Sequence, residues 1–523
     1  MARLLPPPPR TRRPWWEELD FFMDPFKVQS DILQGRDVAS GNFLMQEQVL
    51  VGGLDAARAV LVRQEDVLEG SVPPHLGAIL GPSSIGVARG EAHDRIRAAL
   101  APAFTPEEVE ACIPQCVLQA LCESYVQRWL AAGGDDGGRD GEGGQAVVVR
   151  GIDAQLKRLT FEVICTMVCG LRLEEGPPTA QQQHQQQPDL DQLNAWFTDL
   201  MAGLTFPLKI DLPFTPHGRA MDARRRITAA IAQQADRLKA ELRGSSGGSG
   251  TSSSSGSSVL RRLMEAELAA EAAAATAAEA GSDSGSGAVV APAAALSRQE
   301  LLDNFVGILI AGHDTTASSL SMLLYELAQH PEVLSRLAQE QAAVVAAHGP
   351  ALSGGALRDM RYAEAVVREA WRRWPVVPVV GRVAVQDTTL AGYSLPAGTP
   401  VAVALNYLQR RDGRWPAGSD SGSRGAVGGG GPLDPDVFNP DRWLVEAGAG
   451  SGGSGGAALV FGAGKRYCLG AALATAEIKV LLAVLVRACG GGWRLEGRPR
   501  LELFPFPVAR MDVRLLLGGG ANL

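Results

Sequence analysis

Residues 461–470 read FGAGKRYCLG and run straight into an apolar stretch that begins at Ala471, and no other part of the chain limits its fold so tightly. Gly462, Gly464 and Gly470 let the backbone turn sharply and bring amide N–H groups near one sulfur, while Arg466 places a cation two residues from Cys468. The expected product is a thiolate held by a loop at the start of a helix. The competing reading is a buried structural cysteine in a glycine-rich loop. A match at five fixed positions arises by chance in such a chain with a probability on the order of 10⁻⁴, which favours the thiolate.

The other cysteines are Cys112, Cys116, Cys122, Cys165, Cys169 and Cys489, which with Cys468 make seven, without a CxxC pair. An odd count in apolar helical surroundings points to a reducing compartment rather than a disulfide framework. The i,i+4 pairs Cys112/Cys116 and Cys165/Cys169 lack a nearby histidine or second pair, so they are expected to pack as small hydrophobes and not to hold a metal.

With 46% apolar and 20% charged residues over 523 positions, the chain can build a large core. A net charge of −8 gives no support for a nucleic-acid partner. No run of 18 apolar residues offers a transmembrane anchor. Arg10, Arg12 and Arg13 follow the run Pro6 to Pro9 without the hydrophobic segment of a secretory signal, although such proline runs commonly follow a membrane anchor. The expected location is intracellular, with the cytoplasmic face of the endoplasmic reticulum and a plastid both open, and membrane association compatible with either.

Gly-, Ser- and Gln-rich tracts near residues 133–144, 178–188, 244–258, 281–287, 417–431 and 448–456 bury too little apolar area to offset their ordering entropy, and are expected to be surface insertions. Between them, helical periodicity covers residues 90–104, 106–130, 152–171, 219–242, 297–330, 363–374 and 470–489. Strand patterns are short, at 46–51, 382–385 and 401–405. The expected fold is mainly α with small β-sheets. Residues 1–39 form an extension, 40–515 one catalytic domain, and 516–523 a tail.

The pattern FxxGxRxCxG, carried here by Phe461, Gly464, Arg466, Cys468 and Gly470, resembles the haem-binding signature of the cytochrome P450 superfamily. That resemblance implies the P450 fold around haem b, with Cys468 as axial thiolate and metal ligand, pushing electron density onto the iron and favouring O–O cleavage. Further motifs follow the family order over residues 40–515. AGHDTT, from Ala311 to Thr316, lies on a helix that Ser297 and Glu300 can open with a capping box. The resemblance makes Asp314 and Thr315 catalytic, organising protons for bound dioxygen, with Gly312 leaving room for the oxygen. His313 is expected to face a neighbouring side chain or backbone group rather than the iron.

Glu369 and Arg372, three apart in EAWR, share a helix face. They resemble the family's ExxR and, with Arg442 in DPDVFNPDRW, imply a structural ion network behind the cysteine loop. His93 and Arg97, four apart, match an HxxxR variant and are carried over as propionate ligands, joined by Arg382 and Arg466. Ile308, Ala311, Val376, Val377, Val379 and Val380, together with part of residues 73–85, are expected along the substrate pocket. Their apolar character suggests a lipophilic substrate. Residues 207–227 look broadly like the retinoid- and sterol-oxidising branch.

The implied reaction uses O₂ and electrons from NADPH to oxidise a sterol, terpenoid or carotenoid/retinoid-like molecule. Without a nucleotide fingerprint in the chain, the electrons must come through a separate reductase or ferredoxin, for which Lys465 is the expected contact. Two other classes compete. A haem-thiolate isomerase or dehydratase acting on hydroperoxides would generally lack the Asp314–Thr315 pair, and a non-enzymatic haem sensor would have a blocked distal side, which Gly312 opposes.

Overall fold

The computed structural model describes residues 6–11, 20, 23–43, 46–72, 74–112, 117–132, 145–171, 188–205, 210–245, 258–279, 296–411, 435–444, 457–490, 492–503 and 506–517. The low-complexity tracts lie outside them, apart from a few flanking positions. Two compact units emerge: one of Met1–Ser71, Cys122–Leu156 and Asp314–Leu523, and a second of Val72–Leu121 and Lys157–His313.

Among the described residues, the sheets all lie in the first unit. Six strands are ordered β1-β2-β3-β9-β6-β4: β1 Arg10–Thr11, β2 Val38–Phe43, β3 Gln46–Val51, β4 Leu68–Gly70, β6 Val379–Ala384 and β9 Pro400–Ala404. A second sheet is β10-β11-β5, from Trp493–Glu502, Val508–Leu517 and Gln145–Val149, and β7 Thr388–Leu390 pairs with β8 Tyr393–Leu395. Side chains alternate across the larger sheet, as the period of two requires. Val49 and Val51 of β3 join Val401 and Val403 of β9 in one core, while Leu50 and Ala404 point into another with Ile32, Leu33 and Phe43. Helix Pro25–Leu33, inside the stretch read as an extension, supplies that second core.

Helix Ala471–Ala488 is buried around almost its whole circumference, which explains the unbroken apolar run Val480 to Val486. Helix Arg361–Arg373 is instead one-sided, burying Tyr362, Val366, Glu369 and Trp371. The described part of the second unit is helical, with Gly90–Leu100, Leu190–Thr205, Pro216–Ser245 and Val259–Glu279 among its elements. The helix expected over 106–130 is described as two segments, Pro106–Cys112 and Val117–Ala132, and residues 113–116 lie outside the described residues. The long helix Arg298–Leu327 begins as the sequence encodes: Ser297 N donates to Glu300 Oε2 at 2.8 Å, and Glu300 N to Ser297 Oγ at 3.2 Å. Among the described residues, no helix is long and apolar enough to cross a membrane.

Candidate haem-thiolate site

The cysteine loop is closed by its own backbone. Cys468 N donates to Phe461 O at 2.9 Å, Gly462 N to Leu459 O at 2.9 Å and Tyr467 N to Gly464 O at 3.0 Å. Gly462 and Gly464 sit at φ of 72° and 68°, a region that disfavours residues with a Cβ. Gly464 is doubly constrained, since a Cβ there would collide with Leu61 O and Glu65 Oε2. Glu65 Oε2 also accepts from Lys465 N at 2.7 Å, docking the loop on the Leu61–Glu65 turn. Phe461 packs edge-on to Trp371 at 4.8 Å, and Trp371 Nε1 donates to Ser319 Oγ at 3.1 Å.

Within this frame Cys468 is exposed, whereas Cys122, Cys165, Cys169 and Cys489 are buried. Burial pushes the Cys122 and Cys165 thiols well above the ordinary range, raises Cys169 too, and pushes Cys489 up to about 12. These four are poor thiolates. Cys116 lies outside the described residues, as does the side chain of Cys112.

Two guanidiniums lie close together in the same unit. Arg382 on β6 is 5% exposed and donates to Gly381 O at 2.9 Å. Burial, and then the positive charge of Arg466, pull it down to about 10. The register pairs Arg382 with Gly70 of β4, and a Cβ on Gly70 would collide with the Arg466 guanidinium, so Arg466 lies across the bare backbone there. Two cations pressed together and partly desolvated are complementary to an anionic ligand. An exposed thiol and two such guanidiniums in one unit form a donor set that fits an iron tetrapyrrole with two carboxylates. Lys465, expected at a partner surface, has its ammonium on Asp66 Oδ1 at 2.7 Å, so its charge is already paired.

Behind the loop, Glu369 receives five hydrogen bonds. Arg372 Nε and Nη2 each donate at 2.9 Å, Arg442 Nε at 3.1 Å, Asn439 N at 3.0 Å and Trp443 Nε1 at 2.9 Å. The structure thus brings Glu369, Arg372 and Arg442 together. Sequence reasoning missed Trp443, although it directly follows Arg442, and it missed Gly70 and Glu65.

On the long helix nearly every residue from Leu301 to Leu324 is buried, but Gly307, Ile308, Ala311, Gly312 and Thr315 keep solvent access. Their spacing of three to four residues makes one narrow accessible strip. Thr315 lies on it, and Asp314 beside it is 7% exposed. His313 is turned away, between Phe161 and Phe197, with Nε2 at 3.0 Å from Lys157 O. Gly312 has a packing reason that the sequence reading did not include: a Cβ there would collide with Ile164 Cδ1.

His93 and Arg97 lie on helix Gly90–Leu100 of the second unit, with His93 4% exposed and its Nδ1 at 3.0 Å from Asp94 Oδ1. Val376, Val377, Val379 and Val380 lead into and form the start of β6. That segment is fixed at Pro378 O by Gln29 Nε2 and Leu405 N, each at 3.0 Å. Among the described residues, no group of three or more His, Cys, Asp or Glu could hold a bare metal ion.

Known proteins resemble the chain over most of its length. The chain is 24% identical to "Putative cytochrome P450 120" of Synechocystis over 88% of its length and 84% of the relative's. It is 26% identical to "Abscisic acid 8'-hydroxylase 2" of Oryza sativa subsp. indica, over 91% and 78%. The solved structure titled "Retinoic acid bound cyanobacterial CYP120A1" shares the fold, with a TM-score of 0.70 at 24% identity, covering 98% of this chain and 100% of that one. The family model "Cytochrome P450" matches residues 36–490, a span that takes in Glu369, Arg442 and the Cys468 loop, and the chain belongs to that family.

Proposed function

We propose that Cys468 is the axial thiolate of the haem in this P450 monooxygenase, and that the enzyme oxidises a lipophilic, isoprenoid-like small molecule. The single observation that carries the assignment is the contrast among cysteines: Cys468 is exposed in a loop closed onto Phe461 O, while the other described thiols are buried. Haem, when bound, supplies dioxygen activation. Arg382 and Arg466 bind its carboxylates, and the same role comes to His93 and Arg97 from their match to the family's HxxxR variant. Glu369, Arg372 and Arg442 hold the loop that carries the sulfur. Thr315 Oγ1 and the Asp314 carboxyl hold and pass the protons that the reaction consumes. Ile308 and Ala311, on the accessible strip, meet the apolar body of the substrate, and the family resemblance gives Val376, Val377, Val379 and Val380 the same role.

Electrons come from NADPH through a separate reductase or ferredoxin. The substrate reading is supported by relatives named for abscisic acid and retinoic acid, both cyclic isoprenoid acids. A hydroperoxide isomerase is disfavoured by the presence of both Asp314 and Thr315. In Cys468→Ser the red-shifted ferrous-carbonyl Soret band is expected to disappear. Its persistence would remove Cys468 as the ligand. Titrating the holoenzyme with a panel of isoprenoid acids, sterols and carotenoid fragments, read by the Soret shift, tests the substrate class.

A further inference from the structure

We infer that Asp303 is a positioning residue, a latch that ties residues 79–85 and helix Pro216–Ser245 to the long helix and thereby sets how fast bulky ligands enter and leave. The inference rests on the reading of the accessible strip as a substrate wall. Asp303 is fully buried and binds donors from three segments of the second unit. Arg224 Nη2, from helix Pro216–Ser245, donates to Oδ1; Ser83 N, from the 79–85 segment, donates to Oδ2 at 3.0 Å; Gln299 Nε2, one turn earlier on the long helix, donates to Oδ1 at 2.8 Å. Arg224 is 14% exposed and also donates from Nε to Ile79 O at 2.9 Å, so it grips both ends of the arrangement.

The neighbouring Asn304 doubles the attachment. Its Oδ1 accepts from Ile85 N at 2.7 Å, and its Nδ2 donates to Ser83 O at 3.1 Å and to Glu300 O at 2.7 Å. Residues 81–88 also make local turn bonds, such as Ser84 N to Gly81 O at 3.1 Å and Ala88 N to Ser84 O at 2.9 Å. Two adjacent side chains of one helix thus bind the segment at Ser83 and Ile85. Gly81 sits at φ 99°, and a Cβ there would collide with both the Asp303 carboxyl and Arg224 Nη2, so its glycine is part of the same closure.

Position gives the latch its role. Gly307, the first residue of the accessible strip, lies one helical turn beyond Asp303, roughly 6 Å along the axis. The segment that Asp303 holds reaches it: a Cβ on Gly307 would have Ser84 Cβ at 3.8 Å. Releasing the carboxylate frees the cover over the strip's first turn but touches neither Thr315 nor Cys468. A buried ion pair is also all-or-none, since an uncompensated guanidinium in that position is driven toward solvent.

The test uses the holoenzyme of Asp303→Asn and Arg224→Lys. Asparagine keeps an acceptor for Ser83 N but removes the charge, and lysine keeps the charge but loses the second grip on Ile79 O. Association and dissociation of clotrimazole, a bulky azole, are followed by stopped flow through the Soret shift, with carbon monoxide as the small-ligand control. Clotrimazole rates in Asp303→Asn are expected to rise at least tenfold in both directions, with those in Arg224→Lys intermediate and carbon monoxide association within twofold of wild type. Equal clotrimazole rates overturn the latch, and so does an equal acceleration of carbon monoxide, which would mean general loosening. Hydrogen exchange at the Ser83 and Ile85 amides gives a readout independent of the haem. Tenfold faster exchange is expected in Asp303→Asn, and unchanged protection overturns the proposal even where a variant fails to load haem. The thiolate assignment fails separately, on the ferrous-carbonyl band of the wild-type enzyme.

Discussion

Replacing Glu369 by Gln keeps the side chain's size and one acceptor but deletes the charge between two buried guanidiniums. Glu369 and Arg372 are 0% exposed and Arg442 is 4% exposed. Arginine does not deprotonate in proteins, so both cations must stay charged in the dry interior. Breaking a buried pair from one side costs about 3–5 kcal/mol, and here the amide N–H groups of the new glutamine also face donors. That is about two to four orders of magnitude in the folded-to-unfolded ratio, a large part of the ~5–15 kcal/mol by which whole domains are stable. Urea unfolding and haem retention measure the loss. Arg298→Gln is the control: it breaks the pair with Asp236, two bonds of 2.7 Å between side chains each 57% exposed, and should cost less than about 1 kcal/mol. Trp443→Phe, which removes one donor to the Glu369 carboxylate, should cost about 1.5–3 kcal/mol. If Glu369→Gln unfolds within about 1 kcal/mol of wild type, the network does not hold the loop as argued.

Two further outcomes follow from the same geometry. Thr315→Ala should load haem and bind ligand normally while diverting electrons from product to hydrogen peroxide; unchanged coupling with a substrate that lacks hydroxyls would remove Thr315 from the proton path. Glu477, 3% exposed on helix Ala471–Ala488, is pushed by burial well above its ordinary value of 4.5, so the folded state keeps a proton that the unfolded state releases. Its contribution is full below pH 4.5 and is lost as pH rises toward the folded value. Glu477→Gln should therefore gain stability over wild type above pH 4.5, by up to about 1.4 kcal/mol per pH unit in urea titrations, and parallel pH curves would refute the burial argument.

What the sequence disclosed depended on how local each cause was. The cysteine loop was legible because Gly462 and Gly464 supply their positive φ within a few residues of Cys468. The capping box at Ser297 and Glu300 was legible for the same reason. Helix Pro331–His348 has its signals, Pro331 and Glu332 at its start, Gly349 past its end, and Val333, Leu337 and Val344 on one face, but its many alanines and glutamines dilute the apolar stripe. Helix Val259–Glu279 carries Leu260, Leu263, Met264 and Leu268 on one face, but its second half is almost all alanine and adds nothing to that stripe. The hairpin β10–β11 hides its alternation behind a register shift between Glu496 and Arg500, next to Gly497.

The site itself was half legible, and the division has a physical meaning. Residue types that carry chemistry announce themselves: a cysteine among glycines, an acid beside an alcohol, an acid three residues before an arginine. The groups that give them their properties are contributed by distant segments and have no side-chain signature. Gly70 illustrates this. It looks like an ordinary glycine before a turn, yet strand pairing sets it opposite Arg382, and its missing Cβ is what lets Arg466 lie beside that residue. The mutual repulsion that helps pull Arg382 down to about 10 is thus a product of register, fixed when β4 pairs with β6. Glu65 acts likewise, receiving Lys465 N across a separation of 400 positions. A motif can name the atoms that meet a ligand, but how strongly they hold it is set by backbone pairings formed only once the sheet has closed.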